Sequence, residues 1–275
     1  MSRLGLIAGN GQFPLLFVEA ARAEGVEIIA VAHKGETPAE ITALLPEVTW
    51  VRVGELGKII ATFQQAGVTQ AVMAGGIYKA GAMTNIQPDA RGLAFISKLP
   101  NLKDDVILRG VAQELEDEGI TIIESTRYLS ALIPEAGVLT MDEPDTQQWA
   151  DIRLGVTVAQ EIGRWDIGQS VVVKRGTVFA VEGVEGTSAA IRRGGELGGA
   201  GTVVVKVSKP QQDLRFDVPA IGPDTIAVMH EVDAAVLAIE AHTTLMIERQ
   251  ALLAKAKRSD IRVVAVSANS ARQAE

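Results

Sequence analysis

Short apolar runs rich in β-branched residues alternate along the first half of the chain with longer segments of helical period. "RLGLIA", "VEIIAVA", "VTWVRV", "TQAVMAG" and "ITIIE" read as strands, and "PLLFVEAARAEG", "PAEITALL", "LGKIIATFQQAG" and "DDVILRGVAQELEDEG" as helices. Strand, helix, strand at this spacing predicts right-handed βαβ units and a parallel sheet covered on both faces. The expected fold class is α/β, beginning with a doubly wound, Rossmann-like domain. Gly25, Gly67 and Gly119 each stand between a helix and the next strand, where a left-handed helix cap favours glycine.

The alternation breaks between Glu124 and Gln147, where "LIPEAGVLTMDEPDTQQ" carries Pro134, Gly137 and Pro144. This predicts a linker at residues 131–146 between a first domain, 1–130, and a second, 147–275. The second half opens with a helix from Trp149 to Gly163, then pairs "SVVVKRG" with "TVFAVEG" across a turn at Lys174-Arg175-Gly176. With the strand "TVVVKVS" and a helix near Thr225 to Asp233, it reads as a mixed-sheet α/β domain. Between them, "VSKPQQDLRFDVPAIGPDTI" predicts a strand with Asp213, Arg215 and Asp217 on one face and Leu214, Phe216 and Val218 on the other.

Composition narrows the chemistry. The 275 residues are 47% hydrophobic and 22% charged, as in ordinary globular proteins, and a net charge of -8 gives no general attraction to nucleic acid or anionic lipid. Any phosphate binding must come from a local cluster of cations. The absence of cysteine excludes disulfides, thiolate zinc sites and cysteine nucleophiles. The N-terminal stretch lacks the apolar core of a signal peptide and no run of 18 apolar residues occurs, so a cytoplasmic protein is expected. His33, His230 and His242 show no metal-ligand spacing, so a metal, if used, is oxygen-ligated, with Mg²⁺ the default and Mn²⁺ an alternative.

Three groups of residues are candidates for a site. In "GLIAGNGQFP", Gly9, Asn10 and Gly11 lie between a strand and a helix carrying Pro14 in its first turn, an arrangement that aims backbone N–H groups at a phosphate or sugar. It is no dinucleotide fingerprint, because the third glycine is missing and His33 and Lys34 stand where a ribose-binding carboxylate belongs. A tight turn alone would also explain these glycines. In "AGGIYKAG", Gly75, Gly76 and Lys79 leave a second parallel strand, so two glycine loops would frame one crevice at the strand ends. The third group is Gln169, Glu185, Gly186, Thr187, Arg192, Arg193, Lys206, Lys209, Asp213, Arg215, Asp217 and Asp224. It combines cations to offset phosphate charge with carboxylates able to hold a hard metal ion or activate water. Plain alternatives exist here too: Arg192 and Arg193 in a solvated turn, the charged face of an edge strand, and Asp224 as a helix N-cap.

Taken together, "GLIAGNGQFP", "GELGKI", "AGGIYK", "KDDVILR", "DIGQSVVVKRG", "AVEGVEGTSAAIRR" and "VVKVSKPQQDLRFDVPAIGPDT" resemble, in order and over nearly the whole chain, the LpxI-type UDP-2,3-diacylglucosamine pyrophosphatases. The resemblance implies a hydrolase of lipid A synthesis that cleaves UDP-2,3-diacylglucosamine to UMP and 2,3-diacylglucosamine 1-phosphate with a divalent cation. Water would attack the β-phosphorus, and the essential aspartate of the "IGxDT" turn corresponds to Asp224, which would be both catalytic residue and metal ligand. The implied fold is two α/β domains with the ligand cleft between them. The substrate-binding set would comprise Gly9, Asn10, Gly11, Gly75, Gly76, Lys79, Gln169, Thr187, Arg192, Arg193, Lys209, Asp213 and Asp217. The chain departs from the family pattern at Lys79-Ala80, where relatives have Arg-Pro, and at Ser188, where they have an acid. The acyl chains need an apolar cover, for which Arg91 to Leu102 is a candidate lid, an ordinary core helix and loop being the plainer reading. Transient contact with the inner membrane and a homodimer are compatible with such an enzyme, and nucleic acid is not an expected partner. A different nucleotide-sugar enzyme, or a non-catalytic nucleotide-sugar or lipid-binding regulator in which Asp224 only caps its helix, is the alternative.

Overall fold

The computed structural model of the chain describes residues 3–77, 86–140, 142–216 and 218–267. They form two compact units, one of residues 1–130 with 213–217 and the other of 131–212 with 218–275. Among the described residues no helix is long and apolar enough to cross a membrane.

The first unit is built on a wholly parallel sheet of five strands in the order β3-β2-β1-β4-β5. These are β1 (Arg3–Ala8), β2 (Glu27–His33), β3 (Val48–Val51), β4 (Gln70–Ala74) and β5 (Thr121–Ile122). Side chains alternate across β1 as a strand buried on both faces requires: Leu4, Leu6 and Ala8 enter one apolar cluster, Ile7 the other. On the first face lie α1 (Phe13–Ala23) and α2 (Ile41–Leu44), through Phe17, Val18 and Ile41. The second face is covered by α3 (Leu56–Gln65), α4 (Ala90–Lys98) and α5 (Asp104–Glu116), through Ile59, Phe63, Phe95 and Leu115. Gly25, Gly67 and Gly119 take the positive φ expected after a helix. The segment "PAEITALL" is helical only over the four residues of α2.

The second unit carries a six-stranded mixed sheet, β6-β13-β11-β9-β7-β8. Its strands are β6 (Gly137–Val138), β7 (Ser170–Lys174), β8 (Thr177–Val181), β9 (Val203–Lys206), β11 (Val236–Glu240) and β13 (Arg262–Val266). One face is covered by the long α6 (Thr146–Arg164), which starts at an Asp145/Gln148 capping box. The other is covered by α7 (Thr187–Gly198), α8 (Pro223–Glu231) and α9 (Arg249–Arg258). A separate two-stranded ladder joins β10 (Ala220–Ile221) to β12 (Leu245–Met246). The β7–β8 hairpin turns on Arg175 and Gly176, both at positive φ. Buried Asp151 of α6 accepts both of their backbone N–H groups, at 2.8 and 2.7 Å. That bond pair fixes the hairpin against α6.

The strand expected from Asp213 is not formed over the described residues Asp213 to Phe216. Phe216 N–H closes a turn onto the Asp213 carbonyl at 3.0 Å, and the Arg215 guanidinium folds back on the Asp213 carboxylate at 2.8 Å. A side chain bonding two residues away competes with extended backbone, and here it wins. Phe216, 7% exposed, packs into the first unit's apolar cluster with Arg215 4.7 Å above its ring, and Arg215 also reaches Glu116 of α5 at 3.3 Å.

Candidate active site

The strand order places the first unit's glycine loops. From β1 the chain runs outward through β2 and β3, then returns to the other side for β4, so the direction reverses between β1 and β4. Crevices at such switch points, beyond the carboxyl ends of the strands, are where open α/β sheets bind ligands. Gly9 to Gly11 follow β1, and Gly75 and Gly76 follow β4. The two loops touch back to back: Gly9 N–H donates to the Ala74 carbonyl at 2.8 Å and Asn10 N–H to the Gly76 carbonyl at 2.7 Å. A Cβ on Gly9 would stand 2.3 Å from the Gly76 oxygen, and one on Gly75, whose φ is +83°, 2.3 Å from the Asn10 oxygen. Glycine is therefore required by contact as well as by backbone angle. Two of the N–H groups expected to face a ligand are thus spent within the protein. Those of Gly11 and Gln12, ahead of α1, have no partner among the described residues.

Beside this loop His33 ends β2 buried at 7% exposure, its Nδ1 2.9 Å from the Ala8 carbonyl, which also accepts from Thr37 Oγ1 at 2.7 Å. Burial holds the His33 pKa below its ordinary value, partly offset by that backbone bond and by Glu36, so the ring is neutral at pH 7. His33 props the β1 loop from below. Asn10 Nδ2 reaches Glu36 at 3.3 Å, which ties down the side chain between the two glycines.

In the second unit a polar cluster lies at the end of β9. Lys206 and Glu182 are each 8% exposed, unusual for charged side chains, and both are bonded. Lys206 Nζ donates to Thr187 Oγ1 at 3.3 Å and to the Ala220 carbonyl at 3.0 Å. Thr187 Oγ1 donates to Glu182 at 2.9 Å and lies 3.4 Å from Ser170 Oγ, while Gln169 N–H reaches Glu182 at 3.3 Å. Gln169 Oε1 is buried with no hydrogen-bond partner among the described residues, a cost that a ligand donor would remove. Gln169 and Thr187 are thus brought together, joined by Glu182 and Ser170, which the sequence reading did not single out. Lys206 is a structural tie rather than a free cation for phosphate.

Ala220 begins β10, and the chain continues through Gly222 into α8. The N-cap of that helix is Gly222, whose N–H meets Thr225 Oγ1 at 3.4 Å. Asp224 is therefore at the second helical position and does not cap, which corrects the plain alternative given above. Its carboxylate is exposed and has no side-chain partner among the described residues, while the helix dipole favours negative charge there. Several other acids of the unit are occupied: Glu185 by Arg193, Glu231 by Arg192, Asp166 by Lys209, Asp151 by the hairpin amides.

The remaining expected residues are dispersed or committed. Arg192 and Arg193 lie within α7 rather than in a turn, Arg192 forked onto Glu231 at 2.7 Å and Arg193 on Glu185 at 2.5 Å and the Val181 carbonyl. Lys209 holds Asp166 at 2.5 Å. Asp213 sits between Arg215 and Arg109 in the first unit, and the Arg215 hydrogen bond holds its carboxyl below the usual range. Lys79 and Asp217 lie outside the described residues. The candidate lid contains α4, whose Phe95 is buried at 8% against α5 and whose Arg91 pairs with Glu114 and Glu118. Phe95 is a core residue, as the plainer reading had it, while Leu93 and Leu102 are exposed.

Comparison with known families settles the kinship. The model of the LpxI N-terminal domain matches residues 3–132 and that of the LpxI C-terminal domain residues 135–264. The chain belongs to the LpxI family. A curated relative, the UDP-2,3-diacylglucosamine pyrophosphatase LpxI of Caulobacter vibrioides, is 33% identical over 267 residues, covering 93% of this chain and 94% of the relative. Among solved structures, the biotin carboxylase subunit of pyruvate carboxylase aligns with 72% of this chain and 42% of its own, at 14% identity and a TM-score of 0.28, too remote to carry an argument. In this LpxI-family chain both glycine loops fall in the part matched by the N-terminal model, and Asp224 with the Lys206 cluster in the part matched by the C-terminal one.

Proposed function

We propose that this protein hydrolyses the diphosphate of UDP-2,3-diacylglucosamine to UMP and 2,3-diacylglucosamine 1-phosphate in lipid A synthesis, with Asp224 as its catalytic carboxylate. Family membership and the relative's name support the reaction class. The observation that carries the residue assignment is the Asp224 side chain itself, an exposed carboxylate at the second helical position that neither caps its helix nor has a side-chain partner among the described residues.

Among the described residues no three His, Cys, Asp or Glu side chains gather into a metal cage. A single free carboxylate does fit Mg²⁺ or Mn²⁺ of the kind held mostly by water and by the substrate's own phosphates. When bound, such an ion offsets charge on the diphosphate oxygens and makes water more acidic. Asp224 would orient the attacking water and take up its proton, so that the water oxygen ends on the sugar phosphate and UMP leaves with the bridging oxygen. Gln169, whose buried Oε1 has no partner among the described residues, and Thr187 would contact the substrate beside it.

The test is UMP release from UDP-2,3-diacylglucosamine by the purified protein with Mg²⁺ or Mn²⁺, alongside EDTA and Asp224→Asn. A general base contributes about 10²–10⁴-fold, so D224N is expected to lose that much kcat while melting within a degree or two of the parent. No release with either metal would overturn the reaction; full activity of D224N would overturn the role of Asp224.

A further inference from the structure

We propose that Lys206 is a positioning residue for Asp224, acting through the backbone of β10; the inference rests on the reading that Asp224 carries the hydrolysis. The segment from Ala220 to Asp224 is thinly held by its own ladder, because among the described residues β10 pairs only with β12, at Ala220–Leu245 and Ile221–Met246. A two-strand, two-residue ladder is too small to fix a catalytic group by itself. Lys206 supplies a tie from elsewhere, its Nζ donating to the Ala220 carbonyl at 3.0 Å, four residues ahead of Asp224.

The root of that tie is rigid. Lys206 ends β9, whose Val203, Val204 and Val205 are fully buried, between β7 and β11 in the sheet interior. A charged amine there costs desolvation that an apolar side chain of the same length would avoid. The cost is offset by aimed acceptors. Thr187 spends its hydroxyl proton on Glu182 at 2.9 Å, so its oxygen lone pairs are left to receive Lys206 Nζ at 3.3 Å. Glu182 is in turn fixed by Gln169 N–H, in the residue before β7. The order Glu182, Thr187, Lys206, Ala220 thus links the β7–β8 hairpin to the arm that presents Asp224.

The experiment compares kcat and KM of Lys206→Met, Asp224→Asn and the double variant on UDP-2,3-diacylglucosamine with Mg²⁺, with melting temperatures as a check of folding. A misplacement of about 1 Å costs about 100-fold, so K206M is expected to lose about 30–100-fold in kcat with KM nearly unchanged. Because Lys206 acts only through Asp224, the double variant is expected to turn over no more slowly than D224N alone. A merely structural lysine would instead multiply its loss onto that of D224N, and that result overturns the inference. So does wild-type kcat in K206M when D224N is inactive. Wild-type activity of D224N overturns instead the reading beneath it. Where K206M does not fold, Lys206→Gln, which keeps a polar donor in the site but is too short to reach the Ala220 carbonyl, is expected to lose about 10-fold in kcat, again without effect in the D224N background; unchanged kcat in K206Q overturns the inference.

Discussion

Gly9→Ala tests whether the two glycine loops are held back to back. The added Cβ would lie 2.3 Å from the Gly76 oxygen and 2.7 Å from the Gly75 carbonyl atoms, all of them backbone, so no side chain can swing aside. Reaching ordinary contact requires the loops to part by about 1 Å. That movement breaks the 2.7 Å bond from Asn10 N–H to Gly76 and stretches the 2.8 Å bond from Gly9 N–H to Ala74. Overpacking of this kind costs about 1–3 kcal/mol and each of the two weakened hydrogen bonds about 0.5 kcal/mol, for a total of roughly 2–4 kcal/mol. For a domain of this size the melting temperature should fall by about 5–12 °C. Gly11→Ala is the control: its φ is +77° but nothing lies within 4 Å of a Cβ there, so it should cost only about 1–2 kcal/mol of backbone strain. Trp50 of β3 reports on the first unit once Trp149 and Trp165 are replaced by phenylalanine, and thermal unfolding followed by its fluorescence is the assay. If G9A melts no lower than G11A, the contact between the loops is not what the sequence is protecting.

Two further outcomes follow from the same geometry. Phe216→Ala, which empties a buried ring site in the first unit's cluster, should cost about 3–5 kcal/mol and lower the Trp50-reported transition; an effect confined to signals of the second unit would show that the turn of Asp213 to Phe216 does not belong to the first. His33, with its pKa held below the ordinary 6.5 by burial, binds more protons unfolded than folded between those two values, so its contribution is complete above about pH 6.5 and lost as pH falls toward the folded pKa. Urea unfolding at pH 7.5 and 5.5 should show a loss on acidification that His33→Gln reduces, and an identical pH dependence in H33Q would refute it.

Most of the first unit was legible because its signals are local. Strands buried on both faces read as continuous apolar runs, and helices ending at Gly25, Gly67 and Gly119 are punctuated by the one residue that takes the positive φ without strain. The two-residue strands β5, β6, β10 and β12 are too short to carry any periodicity, and only tertiary pairing defines them. "DLRFDV" failed for a related reason. Alternating charged and apolar residues satisfy the strand template, but Asp213 and Arg215 are close enough to pair with each other, and the buried ring of Phe216 fixes the resulting turn. The Lys206 cluster did leave a trace: a lysine inside the valine run "VVVKV" has to be either at a sheet edge or bonded within the interior. What the trace could not show is its partners, because Glu182 and Thr187 come from the far side of a hairpin whose register only the fold sets.

For Asp224 the spacing "GPDT" is equally good as a cap and as a site, since a carboxylate near a helix start is stabilised by the same N–H groups and dipole in either case. What separates the two is a single position. A capping carboxylate sits before the first helical residue and folds its oxygen onto N–H groups one turn on; here that place belongs to Gly222, extended at φ -148° and ψ -176°, and its N–H is met by the Thr225 hydroxyl instead. The helix start is complete without Asp224. Removing the carboxylate should therefore leave folding untouched within the few tenths of a kcal/mol that an exposed dipole interaction is worth, while removing whatever chemistry depends on it. A carboxylate with a structural duty could not be deleted on those terms, and that difference makes D224N a test of function rather than of stability.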